Sequence, residues 1–138
     1  MPQINSLSTR SLQYYAIAKK WEHDLEFFKF ELSFLRKLVS NAFIRDVGLS
    51  AVKLQKLRDG LLKLEYNNGE AFVQLEGQST QLELMAEDII PEDIDMLTAK
   101  QVEMEYLMAT LTADFRVLKK EVYEFLSSVM YKDKIRVN

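Results

Sequence analysis

The chain carries one histidine, His23, no cysteine and 21 carboxylate side chains, and these set the chemistry it could perform. Without cysteine there is no thiol nucleophile, no disulfide and no thiolate metal site. A single histidine cannot build a His-based metal centre, and no Glu-x-x-His pair of the di-iron bundle type occurs. Glu22 and His23 are neighbours, so on a helix they point about 100° apart and are poorly placed to share an ion. Glu83, Glu87, Asp88, Glu92, Asp93 and Asp95 crowd one stretch but lack the glycine-centred spacing of a calcium loop. Those after Pro91 suit a helix N-terminus, where the backbone dipole favours negative charge. Neither a phosphate-cradling Gly-x-x-x-x-Gly-Lys-Ser/Thr loop nor a Gly-x-Gly-x-x-Gly turn is present. The expectation is a chain that is not an enzyme, with no catalytic residue, cofactor or metal.

Two other groups of residues stand out by position. Asn68, Gln78 and Gln101 are amides set among regularly spaced apolar residues. Phe27, Phe30 and Phe34 are aromatic residues set on what should be the outside of a helix.

Both groups take their meaning from the helices that position them. From Tyr14 the apolar residues Ala18, Trp21, Leu25, Phe28, Leu32, Leu35, Val39 and Ala42 follow at alternating steps of four and three. That spacing keeps one side chain per half-heptad on a single helix face. A second seam runs through Leu54, Leu57, Leu61, Leu64, Asn68, Ala71, Leu75, Gln78, Leu82, Met85 and Ile89. A third runs through Ile94, Leu97, Gln101, Met104, Met108, Leu111, Phe115, Leu118, Val122, Phe125 and Val129. The spacing predicts helices over 9–46, 50–89 and 92–131, with Ser8 or Ser11, Ser50, and a Thr98–Gln101 capping box near their starts. Gly48 is suited to close the first helix, and Pro91 is hostile to the interior of the second. Tyr66-Asn67-Asn68-Gly69 reads locally as a turn. The heptad phase nevertheless resumes unshifted at Ala71 and Leu75, which favours one continuous helix.

Three long helices with short connections must run down, back and down again. The predicted fold is all-α, an elongated, coiled-coil-like antiparallel three-helix bundle forming a single domain over 1–138. Gln78 precedes Pro91 by 13 residues and Gln101 follows it by 10, so the hairpin brings them to a similar height. There they are expected to satisfy each other's amides and hold the register.

With the seam at heptad positions a and d, Phe27 and Phe34 fall at c, and His23 and Phe30 at f, facing away from it. Leu62, Tyr66, Gly69 and Val73 form an outward row on the second helix, and Val102, Tyr106, Ala109, Ala113 and Val117 one on the third. A wide core would absorb Ile17, Leu38, Phe43 and Leu107 at flanking positions. It would not absorb a contiguous aromatic stripe on the far side, which calls for a cover.

Charge narrows the partner. The net charge is −3 with opposite signs interleaved, so the basic stripe of a nucleic-acid binder is missing. No stretch of about 18 apolar residues predicts a membrane span, and no secretory leader is visible. Lys19, Lys20, Lys29, Arg36 and Lys37 flank the aromatic stripe as they would on a membrane-surface helix, but Glu22, Asp24, Glu26 and Glu31 oppose contact with anionic lipid. The expectation is a cytoplasmic scaffold or adaptor bundle that binds another helical protein or, more simply, itself, through Phe27, Phe30 and Phe34, with Leu62, Tyr66 and Tyr106 as further interface residues. The alternative is a small-ligand or regulatory binding protein with its site between helices at Asn68, Gln78 and Gln101. No motif points to a particular family.

Overall fold

The computed structural model describes residues 7–45 and 51–137, with side chains described as far as residue 42 in the first helix and residue 128 in the third. It consists of three α-helices, α1 (Thr9–Arg45), α2 (Ala51–Ala86) and α3 (Ile94–Val137), each packed against the other two. At 1.5 Å per residue α1 is about 55 Å long, so the bundle is a rod. Ion pairs between Arg36 and Glu65 and between Lys19 and Glu83 fix α1 and α2 as antiparallel. Tyr14 with Thr98, and Glu31 with Lys119, fix α1 and α3 as parallel.

The seams are where the heptads put them. Leu25, Leu32, Leu35 and Val39 of α1, Leu54, Leu61 and Leu75 of α2, and Met104, Leu111 and Val122 of α3 are buried in one continuous core. Phe28 turns inward and stacks on Phe115 with ring centroids 4.8 Å apart. Ile17, Leu38 and Leu107 are half-buried at the margins, as a wide helical face requires. α2 is continuous through Asn67-Asn68-Gly69. The turn propensity of that tetrapeptide is local, whereas burial of Leu64, Asn68 and Ala71 on both sides of it acts along the whole face.

The ends of the helices differ from expectation. Asp46, Gly48 and Ser50 lie outside the described residues, as do the side chains of Phe43 and Val129. α2 stops at Ala86 rather than 89. Asp88 takes a positive φ of 60°. The amide of Asp88 then reaches the carbonyl of Met85 at 3.1 Å, and that of Ile89 reaches Leu84 at 3.0 Å. This is a Schellman closure with aspartate where glycine is usual. Ile89 is thereby thrown off the seam and left 62% exposed.

α3 starts at Ile94, not 92, and its cap is Asp93, whose Oδ1 accepts the amide of Met96 at 3.0 Å. Thr98 is already inside the helix and meets the hydroxyl of Tyr14, so the Thr98–Gln101 capping box does not form. The helix runs on to Val137, six residues past the expected end.

At the start of α1, the Ser8 hydroxyl accepts the amide of Ser11 at 3.1 Å. The amide of Ser8 is taken by Glu92, 84 residues away, at 3.0 Å, and the Ser11 hydroxyl donates to the same carboxylate oxygen. A capping box normally draws its carboxylate from the helix it caps. Here the connection between α2 and α3 supplies it, closing that end of the rod.

The core itself is divided. Leu7, Leu82, Met85, Ala86 and Leu97 form a second cluster at the Pro91 end of the bundle. Between it and the main core lie Gln78, Ser79 and Gln101, all buried. Gln78 and Gln101 do not pair: among the described residues both Nε2 groups, and the hydroxyl of Ser79, are without a hydrogen-bond partner. Heptad position brings two such side chains to one height, but mutual donation also needs the amide planes to meet, which rotamers decide.

Candidate protein-binding face

α1 presents opposite sides of itself to two different environments. Its a and d residues are in the core, so c and f must point outward. Phe27, Phe30 and Phe34 accordingly remain 60%, 82% and 54% exposed. They form one open face along α1, together with His23, Glu26, Lys29 and Lys37. Completing the burial of three such rings would yield roughly 3–6 kcal/mol, the share of a full 1.5–3 kcal/mol per ring that is still unrealised.

Two interhelical ion pairs flank this face. On one flank Lys119 Nζ lies 2.7 Å from Glu31. Its ammonium pKa is raised by the hydrogen bond and charge of that carboxylate, against the opposing effect of burial. On the other flank Arg36 donates to Glu65 at 3.2 Å. The burial of Leu25, Leu32, Leu35 and Val39 on the opposite side of α1 is what keeps the phenylalanines outside the core.

Next to this face, and sharing Glu26, Lys29 and Ser33 with it, a cleft of about 500 Å³ opens between α1 and α2. Leu25, Asn68, Gly69 and Phe72 form its floor, and Arg36 and Glu65 its rim. Asn68 is buried and its Nδ2 donates to the carbonyl of Leu25 at 3.0 Å. Ten residues separate Asn68 from Gln78 along α2, a rise of about 15 Å. The three seam amides are therefore not brought together into one site.

Nor do the other outward rows join the stripe. Leu62 and Tyr66 are exposed on α2, and Tyr106 is exposed on α3. In a bundle where every helix packs on the other two, each turns its outer face in a different direction. The six candidate interface residues are carried on three helices, Phe27, Phe30 and Phe34 on α1, Leu62 and Tyr66 on α2 and Tyr106 on α3.

The acidic cluster is absorbed by the scaffold. Glu83 accepts the hydroxyl of Tyr15 at 3.0 Å, Glu92 caps α1, and Asp93 caps α3. The phenol of Tyr15 is held above its ordinary pKa by burial first and then by that bond to Glu83. Among the described residues, no three metal-ligating side chains gather. No described helix is long and apolar enough to cross a membrane. Sequence spacing singled out the serines as caps but missed Glu92, and nothing local could have matched residues so far apart.

No protein-family model, curated protein or solved structure matches this chain.

Proposed function

We propose that the chain is a non-enzymatic, cytoplasmic interaction bundle that self-associates through the outer face of α1. The observation that carries this reading is the stripe Phe27, Phe30 and Phe34, more than half exposed on a helix whose opposite face is buried in the core. Contiguous apolar surface of this kind marks interaction sites, whereas single exposed apolar residues do not. A two-fold contact needs only one self-complementary patch, which makes a second copy the simplest cover. The cysteine-free composition fits a reducing compartment.

The test is solution mass by light scattering coupled to size exclusion, over a wide concentration range. Wild type should approach a multiple of 16.1 kDa, and Phe30→Asp should remain at 16.1 kDa with helicity unchanged. A wild type that stays monomeric at every concentration would sink the reading.

The cleft beside Asn68 favours a second reading, a small ligand held between α1 and α2. Under it, Asn68→Ala would abolish ligand binding while Phe30→Asp would leave it intact.

A further inference from the structure

We infer that the Pro91 end of the rod opens as a cooperative unit of its own while the main core stays folded, with the layer of Gln78, Ser79 and Gln101 as the boundary. The division of the core carries the inference. Among the described residues, nineteen buried apolar side chains form the main cluster, whereas only Leu7, Leu82, Met85, Ala86 and Leu97 form the one at this end. Local opening takes the part of a fold with the least buried apolar surface, so the smaller cluster yields first. The layer between the two does little to join them. Gln78 Nε2, Ser79 Oγ and Gln101 Nε2 are buried and, among the described residues, without partners, so no hydrogen bond ties the helices together through them. Water that enters when the end opens solvates all three, which makes the open state less costly than it would be above an apolar layer.

The fastenings at this end are polar and partly wet. Ser8 and Ser11 donate to Glu92, Tyr15 donates to Glu83 at 3.0 Å, and the hydroxyls of Tyr14 and Thr98 meet at 3.1 Å, all of them exposed or half-buried. Glu83 also lies 3.9 Å from Lys19 Nζ. Water can replace each of these bonds, so each contributes little net stability beside the burial of a leucine. Three segments share the small cluster: the start of α1 brings Leu7, with Leu12, Tyr14 and Tyr15 packed against it, the end of α2 brings Leu82, Met85 and Ala86, and the start of α3 brings Leu97. Each covers its apolar face with the other two, so the three lose their protection together.

Amide hydrogen exchange of the full chain at pH 7, followed residue by residue by NMR over a series of low urea concentrations, tests this. In the wild type, segments 12–17, 80–86 and 97–101 should share one opening free energy and one shallow urea dependence. Their protection should be at least tenfold (~1.4 kcal/mol) lower than that of 61–71 and 108–115. Leu61 is buried in the main core, 17 residues and about 25 Å along α2 from Gln78, so Leu61→Val weakens only the part that stays folded. That variant should speed exchange in the main core about fivefold and leave the three end segments unchanged. End segments that speed up with the main core would overturn the inference, because the rod would then unfold as one piece. Fast exchange confined to 12–17 would overturn it as well, since that is the ordinary fraying of a helix start.

Discussion

The side-chain amide of Asn68 donates to the backbone carbonyl of Leu25 at 3.0 Å, joining the middle of α2 to the middle of α1. That carbonyl also lies in the helical ladder of α1, so the asparagine adds a bond without being its only partner. Replacing Asn68 by leucine should change stability by no more than about 1 kcal/mol, since one net hydrogen bond is exchanged for apolar burial. Asn68→Asp should cost about 3 kcal/mol at pH 7, because a carboxylate would be buried against a carbonyl oxygen with no donor to offer. Urea unfolding of both variants at pH 7 and pH 4 checks this, and the aspartate penalty should shrink at the lower pH as the carboxyl becomes neutral.

Glu92 sits where its carboxylate completes the cap of α1, and the Ser11 and Ser8 hydrogen bonds hold its pKa below the ordinary glutamate value. A carboxyl depressed in the folded state binds fewer protons there than in the unfolded chain. Its contribution is fully present above the unfolded value of 4.5 and is lost as pH falls through the lower, folded value. Glu92→Gln should therefore be less stable than wild type by about 1 kcal/mol at pH 7. The two unfolding curves should converge as the pH drops below 4.5.

The layer of Gln78, Ser79 and Gln101 leaves buried polar atoms without partners among the described residues, each such group costing about 1–3 kcal/mol. Gln101→Met keeps the shape of the side chain and removes one of them. The variant should be more stable by about 1–2 kcal/mol, seen as a rise in Tm. Gln78→Met with Gln101→Met should add further and merge the two cores, slowing hydrogen exchange at the Pro91 end of the rod.

Asp88 occupies the left-handed position that closes α2. An L-residue pays for that conformation in contact between its Cβ and the backbone, and glycine does not. Asp88→Gly should raise stability by about 1 kcal/mol in thermal unfolding, whereas Asp88→Val, branched at Cβ, should lower it.

The division between what could be read in advance and what could not follows the range of the forces involved. Heptad spacing determined three helices and the buried seams, because a helix's period forces residues three and four apart onto one face, and the short connections determined their antiparallel order. It also determined that α2 passes unbroken through Asn67-Asn68-Gly69, and that Phe27, Phe30 and Phe34 look outward. Tertiary structure alone decided the ends and the fine polar contacts. Glu92 caps a helix 84 residues away, Asp88 throws Ile89 off its seam, and the two glutamines share a layer without sharing a bond. Each of these depends on angles and distances between segments remote in the chain, and a repeat of 3.5 residues holds no record of them. The same limit separated Tyr66 and Tyr106 from the phenylalanine stripe: periodicity says that a residue faces out, and only the packing of three helices says in which direction.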